Sequence, residues 1–570
     1  MSCVSFSGLK TRINEHCDFS DVILLLSFIL VGGFNDYLAC LISAVLLFFL
    51  IFKILKQKSF QIRLNLLTVS VFAVVGFYAL TMLWAIDTGM AFIGFLRFLP
   101  LAVYVILLAQ PQKKKKIFEI LPYFVAVITL ISVLASLVPP LKSMFLVSER
   151  LAGFFQYPNT FALLLLVCEL LLLKKTRFKW LDFITLAVLI GGLLYTGSRT
   201  AFILFLVSNF FMVLTNASKK MRILIFSVSA VVVLAVTLIA FLGPDGNVLS
   251  RYLKIGLTQS TFIGRLLYIF DSLPLLLKYP FGMGYMGYQF VQGSIQTGVY
   301  NVSYVHNDFL QLALDVGVIP AVMFFAAVVR FFFKKHVNIA EKIIVATISL
   351  HSMFDFNLQF VGMFLLFLLF LDDQDGKIVT VNNVKSAKML AFVFAVINVY
   401  MCVALALSQF TAYETSDALY PYNTRNKLLL LEQQTDIAAA NDIANEILEQ
   451  NTHYYAPYSI KAKYCYSKGD FRGVIENKNA SLSRIRFRYT ELREYGVMLV
   501  NGIMAYEQMG DTSSAKVLKD ELLSLKAGME ASEQYISKFG SMINEKPITT
   551  LPNDILDYIE KITKETGDLN

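Results

Sequence analysis

Residues 113–138 read KKKKIFEILPYFVAVITLISVLASLV, a lysine cluster followed by an apolar run. The run is close to the roughly 20 residues that a helix needs to cross a bilayer. The same pairing of a short basic loop with an apolar run recurs over the first 408 residues, and it decides the fold class. About 13 spans are expected, near 22–34, 37–55, 64–85, 89–109, 117–138, 160–173, 181–196, 201–216, 223–243, 309–333, 341–353, 357–371 and 389–408. The chain is therefore expected to be all-α, a polytopic membrane helix bundle followed by a soluble helical domain.

Composition agrees with that reading. The chain has 570 residues, 56% apolar, 14% aromatic and only 16% charged. Its mean hydropathy is +0.62. A soluble domain of this size needs a more charged surface. The net charge of +9 does not point to nucleic acid, because the positive residues sit beside apolar runs and act as topology signals. The six cysteines, Cys3, Cys17, Cys40, Cys168, Cys402 and Cys465, form no C-x-x-C pair, so neither zinc nor a thioredoxin-like motif is indicated. The first apolar run is followed by no small-residue cleavage site, so no cleavable leader is expected.

Basic residues cluster on alternate loops: Lys56, Lys58 and Arg63; Lys113 to Lys116; Lys174, Lys175, Arg177 and Lys179; Lys219, Lys220 and Arg222; Lys334, Lys335 and Lys342; then Lys377, Lys385 and Lys388. Short loops rich in Lys and Arg stay in the cytoplasm. The expectation is an N-terminus inside and everything after residue 408 outside the cytoplasmic membrane. Residues 343–371 decide the parity. As one tilted helix they would put His351, Asp355 and Asn357 at mid-membrane and the following lysines outside, both unfavourable. Two short segments meeting at the outer face is the better reading.

From about residue 409 polar residues dominate and apolar residues recur at helical spacing, as in 437–448. Gly469-Asp470 and Gly510-Asp511 then mark turns between helices. Helix pairs with such turns resemble tetratricopeptide repeats, over about three repeats; an unrelated helical bundle is the alternative. The expected domains are 1–408 in the membrane, with a large outer loop at 244–308, and 409–570 outside.

The outer loops hold the polar residues that need explaining. One reads Ser148-Glu149-Arg150-Leu151-Ala152-Gly153-Phe154-Phe155-Gln156-Tyr157-Pro158-Asn159, and a tight turn reads Gly197-Ser198-Arg199-Thr200. The long loop carries Arg251, Arg265, Pro280-Phe281-Gly282-Met283-Gly284 and Val305-His306-Asn307-Asp308; His351 and Asp355 follow. The glycines at 282, 284 and 287 follow no strand, so they form no dinucleotide fingerprint and read as a turn in the loop. Trp84 and Trp180 read as interfacial anchors, and Glu169 inside the sixth span either faces the bundle interior or snorkels.

The order Arg-x-x-Gly…Pro-Asn, Gly-Ser-Arg, an Arg upstream of Pro-x-Gly-x-Gly, then His-Asn-x-x-Leu-Gln resembles the O-antigen ligase and polymerase family over roughly 145–320. The resemblance implies the integral-membrane glycosyltransferase fold. It also implies transfer of an undecaprenyl-diphosphate-linked glycan to an acceptor glycan, lipid or protein outside the cytoplasm, with neither metal nor nucleotide cofactor. By the same resemblance Arg199 and Arg265 hold the lipid diphosphate, with Arg150 a third candidate, and His306 is catalytic.

The chemistry is coherent with those residue types. A diphosphate leaving group needs its growing charge stabilised, and arginine's permanent charge and planar fork suit phosphate oxygens. The acceptor hydroxyl needs a base, and histidine titrates near neutrality. Of His16, His306, His336, His351 and His453, only His306 and His351 fall on the outer face with the other motifs. Direct displacement at the anomeric carbon would invert its configuration. Asn307, His351 and Asp355 are expected to support the site, with His351 and Asp355 as a structural pair joining two half-spans. Each assignment has a plain competitor, since an arginine beside a span often only snorkels. A transporter or flippase reading would want internal symmetry and polar sites at the bilayer midplane. An interaction scaffold would leave the arginine and histidine motifs unexplained.

Overall fold

The computed structural model describes residues 19–110, 116–215, 218–242, 248–253, 256 and 259–567. Cys3, His16, Cys17 and Lys113 to Lys115 lie outside the described residues, as do parts of the 244–308 loop.

The chain is an all-α membrane bundle, 76% helical, with very little sheet. Its first elements are α1 (Phe19–Ile29), α2 (Asp36–Gln57), β1 (Phe60–Leu64), α3 (Leu66–Thr81), α4 (Thr88–Ala109), α5 (Ile117–Ser136), α6 (Pro139–Phe145), β2 (Leu146–Val147) and β3 (Arg150–Leu151). Then come α7 (Pro158–Leu173), α8 (Trp180–Thr196), α9 (Arg199–Thr215), α10 (Lys219–Leu242), α11 (Ser250–Leu253), α12 (Ser260–Lys278) and α13 (Gly287–Ile295). The bundle ends with α14 (Asp308–Val316), α15 (Val318–Phe332), α16 (Ile339–Ser352), α17 (Val361–Leu371), β4 (Lys377–Val381) and α18 (Val384–Gln409). The thirteen expected segments are largely helical, but 309–333 is broken at Gly317 into α14 and α15. Among the described residues, six helices are long and apolar enough to cross a membrane: α2, α4, α5, α12, α18 and the first 21 residues of α10. Seven apolar helices, α1, α3, α7, α8, α9, α15 and α17, are shorter. Of the six, α12 is the one that the sequence reading placed in a loop, and its hydropathy of 1.3 is the lowest.

The contacts divide the chain into two compact units. One comprises residues 1–80, 92–256 and 306–406; the other comprises 81–91, 257–305 and 407–570. Most of the long loop thus clusters with the C-terminal region.

In the first unit, α7 buries every residue except Asn159, and α17 buries all eleven. Helices that are apolar on every face belong at the centre of a bundle. Glu169 of α7 is buried with them, so it faces the interior. The polar ends of the helices gather at two ends of this unit. At one, β1 pairs antiparallel with β4, Phe60 opposite Val381. There Gln110 Nε2 donates to the Gln61 carbonyl at 2.7 Å, and Arg63 pairs with Asp372. Lys334 meets Asp373 and Asp375, and Lys174 meets Glu341. Helix α16 runs away from this end and α17 returns to it, so 343–371 is two segments joined by an irregular turn.

In the second unit, α19 (Tyr413–Leu419), α20 (Thr424–Gln433), α21 (Ile437–Gln450), α22 (Ala456–Ser467), α23 (Phe471–Leu482), α24 (Tyr489–Gln508), α25 (Thr512–Ala531) and α26 (Asn553–Gly567) follow one another. Two of the turns are alike. Gly469 and Gly510 take φ of 73° and 77°, a left-handed conformation that glycine reaches without a Cβ clash. The aspartate after each caps the next helix: Asp470 accepts from the Gly473 N–H and Asp511 from the Ser514 N–H, both at 3.0 Å. Val474, Tyr495, Leu499, Ile503, Leu518, Ile555 and Ile559 form the core between these helices.

Candidate functional site

The opposite end of the first unit collects residues from distant parts of the sequence. His306 stands just before α14, whose N-terminus is capped by Asn307: its side-chain oxygen accepts from the Leu310 N–H at 3.0 Å. The His306 backbone is left-handed, φ 54°, which a non-glycine residue adopts at a cost and which clusters at functional sites. That conformation aims the imidazole at Asp355, with Nδ1 3.5 Å from Oδ1 and the ring 4.9 Å from that of Phe356.

Asp355 lies in the turn between α16 and α17, and its side chain is 1% exposed. Tyr157 donates its hydroxyl to Oδ1 and Asn159 its amide to Oδ2, each at 2.8 Å. Arg150 extends the chain of contacts, donating from Nη2 to Asn159 Oδ1 at 2.6 Å and from Nε to the Thr196 carbonyl at 2.7 Å. A buried carboxylate needs such donors, and here Tyr157 and Asn159 supply them from the single stretch that leads into α7.

Three arginines meet where α8 turns into α9. Gly197 ends α8 with φ 59°, and a Cβ there would lie 2.9 Å from Val248 Cγ1, 3.3 Å from Arg251 Cδ and 3.5 Å from Arg150 Nε. Arg199 Nε donates to the Arg251 carbonyl at 3.1 Å. Arg251 Nε is buried and has no hydrogen-bond partner among the described residues. Burial, and then the charge of Arg251, lower the Arg150 pKa to about 10, so it stays charged at neutral pH. Arg150 and Arg199 donate to carbonyls and an amide, and with Arg251 beside them the cluster makes a local positive field suited to an anion.

The sequence reading paired His351 with Asp355. In the structure His351 Nδ1 is 2.9 Å from Asn357 Nδ2, while Asp355 takes Tyr157, Asn159 and His306. The reason is the turn: Ser352 ends α16, so an i, i+4 spacing no longer places both side chains on one helical face. Asn357 in turn accepts from Thr160 at 3.0 Å, tying the turn to α7. Arg265 stands in the second unit, on the second turn of α12, half-buried.

Arg97 was missed. It lies mid-way along α4, fully buried, and donates to Asp36 and the Phe34 carbonyl at 2.6 Å and to the Gln359 carbonyl at 2.5 Å. It thereby ties α4 to the start of α2 and to the α16–α17 turn. A lone arginine inside a spanning run was the available signal. At the other end of the unit, His336, Asp373 and Asp375 are grouped closely enough to hold a cation, but the Lys334 ammonium already meets both carboxylates.

No curated protein and no solved structure matches the chain. A family model matches residues 184–325, which include Arg199, Arg265, His306 and Asn307 but not Arg150, His351 or Asp355. That model is the one described as O-antigen ligase, so over residues 184–325, a quarter of its length, this multi-pass membrane protein is similar to the O-antigen ligase family.

Proposed function

We propose that the chain transfers a glycan from an undecaprenyl-diphosphate carrier to an acceptor hydroxyl on the outer face of the bacterial cytoplasmic membrane. The observation that carries this reading is the grouping, in one unit, of Arg150, Arg199 and Arg251 beside His306 and its buried partner Asp355. With Nδ1 turned to Asp355, the His306 Nε2 is the atom that takes the acceptor proton. The acceptor oxygen bonds to the anomeric carbon as the carbon–oxygen bond to the diphosphate breaks, inverting the centre. The electron pair leaves on the diphosphate, whose charge Arg199, Arg265 and Arg150 would stabilise. No metal is invoked for that task.

The N-terminus would lie inside and the helical pairs after residue 408 outside, as a tetratricopeptide-like domain that presents or selects the acceptor. The pairing of β1 with β4 supports this parity, since it joins two of the basic loops at one end. A flippase reading is disfavoured because the polar cluster gathers at helix ends.

The test is in-vitro transfer from a purified carrier-linked glycan. Chelator should leave activity intact. Arg199→Ala and Arg265→Ala should each impair transfer, and the double variant should fall well short of additive because both would serve one diphosphate. Dependence on a divalent ion, or normal transfer by both variants, would overturn the arginine mechanism. Cysteine labelling that found positions 412–564 inside would overturn the topology.

A further inference from the structure

The second unit contains a cleft of about 370 Å³, inside the roughly 300–1,000 Å³ range of ligand pockets. One wall is α13 and the loop to Asn301; the other runs from Arg484 to Thr490, with Tyr454 and Tyr455 at its back. The walls are held together by backbone. The Arg486 N–H donates to the Gly293 carbonyl at 3.1 Å, and Arg486 Nη1 donates to the Gln296 carbonyl at 3.2 Å. A Cβ at Gly293 would sit 2.5 Å from the Arg484 carbonyl oxygen, so no other residue fits there without moving the wall.

The lining combines aromatic faces with side-chain amides and cations. Tyr454 packs edge-on against Phe290 at 5.6 Å and tilts on Tyr455 at 4.9 Å; the Arg488 guanidinium lies 4.8 Å above the Tyr455 ring. Gln289 Oε1 is buried and accepts no hydrogen bond among the described residues. Lys546 and Arg488 outnumber Glu545 at the rim.

We infer that this cleft is a saccharide-binding subsite. A pyranose offers C–H groups that pack on the negative face of an aromatic ring, and a rim of hydroxyls that both donate and accept. Tyr454 supplies the ring, Gln289 the buried acceptor and Arg488 a planar donor. The cationic rim favours a saccharide with an acidic group. A peptide is the poorer fit: it is captured by strand addition or by a long apolar groove, and the described part of this unit has no strand.

The inference rests on the glycan-transfer reading for the identity of its occupant, since the saccharide would be part of the donor or of the acceptor. The probe is the oligosaccharide released by mild acid from the carrier lipids of the cells that make the protein. It is titrated calorimetrically into the full-length chain in detergent. Binding should be saturable and weaken with salt. Tyr454→Ala and Gln289→Ala should each weaken it by about tenfold, the scale of one lost specific contact, without lowering the melting temperature. His306→Ala should bind normally. In the transfer assay the cleft variants should raise KM with kcat unchanged. A rise in donor KM marks a donor subsite, a rise in acceptor KM an acceptor subsite. Absence of binding, or equal binding by wild type and both cleft variants, would overturn the subsite and leave the transfer reading standing. Binding lost in the cleft variants, with no transfer by wild type, would do the reverse.

Discussion

The two ends of the membrane unit both carry cations, and they treat them differently. At the end closed by β1 and β4, Arg63 has Asp372, Lys334 has Asp373 and Asp375, and Lys174 has Glu341. At the other end Arg150 donates to an amide and a carbonyl, Arg199 to a carbonyl, and Arg251 stands close enough to lower the Arg150 pKa. A cation supplied with its own acid is committed to structure. A cluster whose printed hydrogen bonds go to neutral acceptors, with only the more distant Asp355 carboxylate acting on Arg150, keeps more of its positive field for a charged group from outside. The contrast separates scaffold from site more sharply than exposure does, because the cations of both sets are half-buried.

The largest test of this contrast compares Arg63→Ala with Arg199→Ala. Removing Arg63 strands a buried aspartate and should cost about 3 kcal/mol of stability, read as a lower melting temperature in detergent. Removing Arg199 should leave melting unchanged and impair transfer. Equal melting shifts would erase the distinction between the two ends.

Next comes His306→Ala, expected to lower transfer by about 10²-fold, the scale of a lost general base, while expression and melting survive. Asp355→Asn should fall in the same direction, since it keeps the Tyr157 bond but removes the charge that orients the imidazole. Near-normal turnover in His306→Ala would remove the imidazole from the reaction.

A smaller effect is expected when the charge is kept and only the geometry changes. Arg150→Lys and Arg199→Lys should lower transfer by about tenfold, less than alanine does, because lysine lacks the two-pronged donor. If lysine restored full activity, the cluster would act as charge alone.

The smallest effect concerns the second unit, where another group feels cations. Burial, then Arg484 and Lys278, hold the His453 pKa below its ordinary value. Below about pH 6.5 the unfolded chain binds a proton that the folded chain resists, so stability falls as pH drops through that point. Melting at pH 7.5 and pH 5.5 should show the loss, and His453→Gln should shrink it. An unchanged slope would place the cause elsewhere.

Much of this was legible in the sequence. Basic loops and apolar runs located most of the apolar helices, because both follow from local composition, but α12 was read as loop; the polar turn at 351–357 argued for two half-spans on solvation grounds alone. The motif residues Arg150, Asn159, Arg199 and His306 stood in loops that the sequence reading expects outside, yet nothing local showed that Asn159 would carry Arg150 to Asp355. The i, i+4 spacing of His351 and Asp355 misled because it presumes an unbroken helix, and α16 ends between them. Arg97 escaped because its three acceptors come from segments 61 to 262 residues away.

The completely buried helix α17 bears on how the protein is made. Eleven residues at about 1.5 Å each cover only part of a bilayer, so this segment is not held there by its own length. Its neighbours hold it. Gly362 packs against Ser27, Phe364 and Phe367 meet Phe324, and Phe370 stacks on Phe118. All of these partners precede it in the chain and have left the ribosome by the time it emerges. The cradle is thus synthesised before its occupant, and the order of translation matches the order in which the centre of the bundle can be filled.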